Sequence, residues 1–320
     1  MPDLIARLGL RVPILQAGMG GGLAGHELAA AVSEAGGLGT LGMLDPEPLR
    51  DQLKRTRSLT ANPIAVNLLL PFTREAHWRI AREADAVITF WGTPVRRTST
   101  IWIHQCGSPA EARQAHEAGA DAVIAQGVEA GGHVRGTTPA LELLAEISRE
   151  LPGYPVLLAG GIADARDVRR ALDGGASAVV VGTRFLLSEE SNAHPEYKRR
   201  LLAADRTLLT ELFGLGWPAP HRVVANAATD RWLRGDPRGP AIARLANRGL
   251  APLTARMPLA IAGRLMAAQR TALPLFGPSP ATRGAALSTL EVTPLYAGES
   301  VARISDIRSA GDLVRALASG

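Results

Sequence analysis

Eight short apolar runs recur along the first part of the chain, at residues 13–19, 38–43, 64–70, 86–91, 100–105, 122–126, 156–159 and 178–182. They are continuous rather than alternating, which is the pattern of strands covered on both faces in a parallel sheet. Most gaps between them carry apolar residues at helical spacing, over 25–35, 46–57, 109–118, 139–150 and 165–174. The last of these helices opens on Asp164 with Asp167 three residues on, an N-cap pattern, and stops at Gly174-Gly175. Strand–helix units repeated in this way predict an α/β fold, a (β/α)8 TIM barrel. One connection fits badly. Only residues 92–99 separate the fourth and fifth runs, whereas a parallel crossover ordinarily takes about a dozen or more. Either the helix there shrinks to a turn or a strand boundary lies elsewhere.

The pattern changes after Phe185. Residues 194–205 read as the helix that closes the barrel. From 207 to about 290, Pro, Gly, Arg and Trp become frequent, and stretches such as 240–247 and 259–271 keep helical apolar spacing. The expected organisation is a barrel over 1–205, a mainly helical inserted substrate or cap domain over 206–290, and a C-terminal segment over 291–320 packing back on the barrel. That last segment ends in a helix over 306–318.

Composition narrows the function classes. A chain of 320 residues, 46% hydrophobic, can bury a large core. No apolar stretch is long enough to span a bilayer, and the N-terminus lacks the pattern of a signal peptide. The single cysteine, Cys106, excludes an internal disulfide. A cytoplasmic protein without a membrane partner is expected. The net charge is +5, carried almost wholly by scattered arginines, with lysine only at positions 54 and 198 and aromatics at 4%. Nucleic-acid binders cluster charge and interleave aromatics, so this balance points instead to compositional bias and modest attraction for anionic ligands. The seven histidines show no H-x-x-H or H-E-x-x-H spacing, so no metal site is expected. Cys106 has nothing nearby to lower its pKa and reads as a strand-end residue rather than a nucleophile.

Candidate chemistry lies where runs meet glycines. The sixth run leads into Gln126-Gly127-Val128-Glu129-Ala130-Gly131-Gly132-His133, and a helix follows from Pro139. The histidine is therefore placed on the rim where a barrel binds ligands. Paired glycines let the backbone approach a flat group closely, and a histidine beside it can move protons near neutral pH. The seventh run ends Ala159-Gly160-Gly161 and the eighth Val181-Gly182-Thr183. These are the turns at which barrels commonly hold a phosphate. A competing pattern is Gly20-Gly21-Gly22-Leu23-Ala24-Gly25, a G-x-G-x-x-G after a strand, with Asp45 further on. A dinucleotide reading of it would leave the His133 loop and the Gly160 and Gly182 turns without a role.

Taken together, Gln16-Ala17-Gly18-Met19, Ala35-Gly36-Gly37-Leu38-Gly39, Val66-Asn67-Leu68, the Gln126–His133 segment, Ala159-Gly160-Gly161-Ile162 and Gly182-Thr183-Arg184-Phe185 resemble the nitronate monooxygenase family. A weaker echo is Pro294-Leu295-Tyr296-Ala297-Gly298. The resemblance implies a barrel holding non-covalent FMN. Ala159, Gly160, Gly161, Gly182 and Thr183 would lie at its phosphate. Ala17, Gly18 and Met19 would line the ring, Asn67 and Gln126 would bond to it, and Gly131 and Gly132 would lie beside it. His133 would be the base or would orient an anionic substrate. The implied reaction is FMN-dependent oxidation of alkyl nitronates, or of nitroalkanes, by O2 to a carbonyl compound and nitrite. The partners are then a small anionic substrate and O2, and a homodimer is compatible with them. The Glu129–His133 segment is shared with FMN-dependent enoyl-thioester reductases that use NAD(P)H, which stay as the alternative. A non-catalytic flavin-binding regulator ranks below both.

Overall fold

The structure is a computed structural model that describes residues 4–254 and 269–319. The eight apolar runs form one parallel sheet of β1 (Ile14–Gln16), β2 (Gly39–Leu41), β3 (Ile64–Leu69), β4 (Ala86–Phe90), β5 (Ile101–Cys106), β6 (Ala122–Gln126), β8 (Val156–Ala159) and β9 (Ala178–Val181). A two-residue strand outside this sheet, β7 (Gly132–His133), follows β6. The sheet runs β1-β9-β8-β6-β5-β4-β3-β2 and closes on itself. Leu15 bridges Leu38 in parallel, Gln16 N–H donates to Leu38 O, and Leu38 N–H donates to Ile14 O, both at 2.9 Å. A closed ring of eight parallel strands with helices outside is the (β/α)8 barrel that the runs predicted. It also sets aside the dinucleotide reading, which needs an open sheet.

Strand alternation decides what fills the barrel. Leu15, Leu38, Ala65, Ile88, Ile103, Ile124, Leu157 and Val180 point inward and form one buried cluster. Their neighbours Ile14, Val123, Ala125, Leu158 and Val179 point outward and pack under the helices. The helices are His26–Glu34, Pro46–Leu59, Glu75–Ala81, Pro109–Glu117, Ala140–Glu150 and Ala165–Asp173. The cap on the last is as the sequence predicts: Asp164 accepts from the N–H groups of Arg166 and Asp167. The sequence pattern gave no helix at 75–81. Its cap is unusual, since the Arg74 N–H donates to the ring nitrogen Nδ1 of His77 at 2.9 Å. The short β4–β5 link has no helix, and its chain turns back through Trp91 and Gly92, both at positive φ (61° and 77°).

After β9 come the helices Thr183–Leu186 and Pro195–Leu202, the second lying within the expected 194–205. The C-terminal helix Ala310–Ala318 buries Leu313, Val314 and Leu317 in the same cluster as Leu28 and Val32 of the first barrel helix. Between them, the described residues hold the helices Ala227–Trp232 and Ala241–Thr254. They also hold a small antiparallel sheet that the sequence pattern did not indicate: β10 (Leu208–Thr210), β11 (His221–Val224) and β12 (Leu295–Tyr296), with β7 joined to β11. Most of the expected helical stretch 259–271 lies outside the described residues. Among the described residues no helix is long and apolar enough to cross a membrane.

The contact between β2 and its helix requires a bare backbone. A Cβ on Gly39 would lie 1.8 Å from the carbonyl oxygen of Ala29. Gly39→Ala is therefore expected to cost about 3 kcal/mol through forced separation of helix and strand. Urea unfolding measures it, and an unchanged midpoint would contradict this packing.

Candidate active site

A cavity of about 690 Å³ opens at the C-terminal end of the barrel strands. Its floor follows from strand parity. Ile88, Ile124 and Val180 are the upper inward residues, and Asn67, Phe90, Gln105, Gln126 and Ala159 are the next inward positions above them. Every residue that the sequence singled out lines this cavity: Ala17, Gly18, Met19, Asn67, Gln126, Gly131, Gly132, His133, Ala159, Gly160, Gly161, Gly182 and Thr183. Of the competing motif, Gly20, Gly21 and Leu23 line it, as does Asp45, whereas Gly22 and Gly25 do not.

The two glycine turns present free backbone donors to the cavity. Gly160 and Gly161 both hold positive φ, at 116° and 75°, a geometry that side chains resist. Among the described residues, the backbone N–H groups of Gly161, Ile162 and Thr183 donate to no protein atom. Thr183 is instead tied through its hydroxyl, which accepts from the Gly298 N–H at 2.9 Å. Near the first turn, Gly18 has no room for a side chain, since a Cβ there would sit 2.3 Å from that of Asn67. Asn67 Nδ2 donates to Gly18 O at 3.1 Å and so holds this loop in place.

The His133 segment is held at almost every residue. Gln126 Nε2 donates to His133 O at 2.9 Å, and Gln126 Oε1 accepts from the Arg135 N–H at 3.3 Å. The Arg222 guanidinium donates to Val128 O at 2.7 and 3.1 Å. Glu129 O accepts from the Glu299 N–H at 3.0 Å, and its carboxylate caps the helix at Ala140 N. His133 itself pairs with His221 across β7 and β11. The segment lies on the barrel rim and its end forms an edge strand of the small antiparallel sheet. Gly132 faces open space, where a Cβ would meet nothing within 4 Å.

His133 Nε2 is buried and has no hydrogen-bond partner. Loss of hydration, with His221 close by, pushes its pKa well below the ordinary 6.5, so the ring is neutral. His221 is neutral as well. Its Nδ1–H donates to Ala219 O at 2.9 Å, its Nε2 accepts from the Phe213 N–H at 3.2 Å, and burial pushes its pKa down to about 4.

The structure adds residues that the sequence pattern did not reveal. Trp217 stacks on the His133 ring, with centroids 3.6 Å apart and planes 15° apart. Phe72 and Trp91 each meet Trp217 edge-on at 5.4 Å. Tyr296 lies 5.6 Å from His133. Gln105 lines the floor, and strand parity applied to the fifth run would have found it. Arg74 is the only Lys or Arg side chain lining the cavity among the described residues. Cys106 points away under the helices, buried, with burial raising its thiol pKa.

A closed barrel with two glycine turns offering free N–H groups and a neutral histidine in one cavity has the layout of a barrel enzyme. Comparison with known proteins agrees. The model of the nitronate monooxygenase family matches residues 2–100 and 93–320. The chain is 32% identical over 267 residues to a probable nitronate monooxygenase of Bacillus subtilis, spanning 67% of this chain and 77% of that protein. Among solved structures it resembles FabK from Thermotoga maritima, with a TM-score of 0.75 at 30% identity over 98% of this chain and 94% of that one. It equally resembles a nitroalkane oxidase from Streptomyces ansochromogenes, with a TM-score of 0.75 at 29% identity over 98% and 97%. The chain belongs to the nitronate monooxygenase family, a family of flavin-dependent oxidoreductases.

Burial of neutral histidines has a measurable consequence. His221 and His104 are held near pKa 4 and His133 well below 6.5, all chiefly by loss of hydration. Unfolding restores ordinary values near 6.5. Between about pH 6.5 and 4 the unfolded chain therefore binds protons that the folded one refuses, and stability falls as pH falls, by up to about 1.4 kcal/mol per pH unit for each histidine. Denaturant melts at stepped pH check this; a flat profile from pH 7 to about 5 would contradict it.

Proposed function

We propose that this protein is an FMN-dependent nitronate monooxygenase that oxidises alkyl nitronates, and nitroalkanes, with O2 to a carbonyl compound and nitrite. The observation that carries the reading is the neutral His133, with its free Nε2, in the same cavity as the open Gly161, Ile162 and Thr183 N–H groups. Those N–H groups fit a phosphate, and the barrel provides no competing protein acceptor for them. Ala17, Gly18 and Met19 would line the ring, and Gly131 and Gly132 would lie close beside it. Bound FMN would supply electron acceptance from the substrate and reaction with O2.

The chain's own residues do the rest. Asn67 and Gln126 spend amide groups on Gly18 and on the His133 segment, so they shape the walls whatever further bonds they make to the ring. Arg74 draws an anion toward the cavity. His133 removes the α-proton of a neutral nitroalkane at Nε2, a task that needs an unprotonated imidazole. A nitronate arrives without that proton and needs no base. Because burial keeps the ring neutral before substrate enters, His133 is a base first; it carries a charge beside the product anion only after it has taken the proton.

His133→Ala is expected to lower kcat/KM for nitroethane by about a hundredfold or more while changing that for ethylnitronate far less. Equal losses on both would sink the base assignment. In the wild type, the nitroalkane rate should hold steady as pH falls through 6.5, because the folded pKa lies below that value. The purified protein should show flavin absorption bands, and mass spectrometry of the released cofactor should give FMN; a protein that takes up no flavin would undo the reading. The alternative, reduction of an enoyl thioester, is favoured by the shared Glu129–His133 segment and the likeness to FabK. Rapid anaerobic bleaching of the flavin by NADH, without nitrite release from any nitronate, would establish it instead.

A further inference from the structure

Trp217 has no part in the family resemblance, yet it makes the closest ring contact in the cavity, 3.6 Å centroid to centroid with His133. It sits on a tight turn. Its N–H donates to Gly214 O at 3.0 Å, Gly216 holds a φ of 85°, and Leu215 N–H ties the turn to Phe276 O at 2.9 Å. The indole is bracketed edge-on by Phe72 and Trp91. Trp91 in turn carries the Arg135 guanidinium 4.7 Å over its ring. Trp91 is the only non-glycine residue at positive φ among the described residues, and its indole N–H is buried without a partner. A strained backbone at such a place marks a position fixed by its surroundings, and functional sites are where such strain collects.

We propose, on the basis of the nitronate reading above, that Trp217 is a positioning and specificity-determining residue. Its indole closes one face of the His133 imidazole to water and bounds the subsite beside it, so that compact nitro compounds reach His133 and bulky ones do not. Among the described residues, the other groups beside the imidazole are held elsewhere. His221, from β11, is fixed between Ala219 O and the Phe213 N–H. Tyr296, from β12, lies 5.6 Å away with its hydroxyl donating to Pro278 O. Arg135, two residues along the chain, is drawn off by Glu111 and Trp91. Among the described residues only the Trp217 ring lies flat on His133, and Leu215, Gly216 and Phe72 also line the cavity.

The test compares Trp217→Ala and Trp217→Phe with the wild-type full chain, using two readouts. The first is an NMR titration of labelled histidine, with the His133 signal assigned through a His133→Gln variant. Removing the indole should admit water and raise the His133 titration point by about one pH unit or more, with Phe intermediate. The second is the ratio of kcat/KM for phenylnitromethane to that for nitroethane, which should rise about tenfold or more in Trp217→Ala. An unchanged titration point or an unchanged ratio in folded variants overturns the proposal. Should the wild type release no nitrite from either compound, the nitronate reading fails, and the titration by itself decides the role of Trp217. Trp217→Phe keeps the test open if the alanine variant does not fold.

Discussion

The two-residue pairing of β7 with β11 joins parts of the chain that would otherwise share no chemistry. Strand parity in the barrel builds only a floor of inward residues, among them Asn67, Gln105 and Gln126. Any side chain above that floor has to come from a connecting segment, and such segments lose about 1–2 kcal/mol of backbone entropy per residue when ordered. Here His133 pairs with His221 and Gly132 with Arg222, and Arg222 turns back to hold Val128 O. The same strand β11 pairs with β12, whose chain continues into Gly298, bonded to Thr183. The wall that holds the histidine and the turn suited to a phosphate are thus fixed by one connected set of backbone contacts. Disturbing the cap would be felt at both.

Much of this was legible in the sequence because each signal was local. Continuous apolar runs gave the strands, Asp164 and Asp167 gave a helix start, and the Gly160-Gly161 and Gly182-Thr183 turns stood where barrel geometry puts them. What stayed hidden depends on distance along the chain. The strands β7, β10, β11 and β12 are two to four residues each, too short to show alternation, and β11 finds β7 only through the tertiary fold. Trp217 lies in Gly216-Trp217-Pro218-Ala219-Pro220, which reads as an irregular turn and says nothing of the ring it covers. The helix Glu75–Ala81 escaped because its cap uses a histidine nitrogen rather than a hydroxyl or carboxylate.

Burial in the site links chemistry to stability. In the base role proposed for His133 an imidazole works best unprotonated at the pH of use, and desolvation is the simplest way to keep it so. The second histidine strengthens this effect. Two imidazoles with ring centroids 5.3 Å apart cannot both be charged without repulsion, and His221 already has both nitrogens committed. A residue permanently charged in place of His221 would change the His133 proton affinity at once, whereas the neutral ring buried against Phe213 only adds to the larger effect of lost hydration. The fold accepts acid sensitivity as the consequence, because protons taken up by the unfolded chain find no place in the folded one.

The aromatic bracket around Trp217 is better understood as placement than as stabilisation. Holding Trp91 in the left-handed region costs about 1–2 kcal/mol, and its buried, unpartnered N–H costs about 1–3 more. Against this stand two edge-on ring pairs of Trp217, each contributing about 0.5–1.5 kcal/mol beyond burial, and one cation–π contact from Arg135 of about 0.5–1. The two sides are of similar size, so burial apart, these particular contacts about offset the strain at Trp91. What it does fix is the plane of one indole over one imidazole. Phe72 follows β3, Trp91 follows β4, Arg135 follows β7 and Trp217 precedes β11, so four separate connections converge on that single orientation. An arrangement that is strained at one residue and directed at the His133 ring fits the specificity role proposed for Trp217.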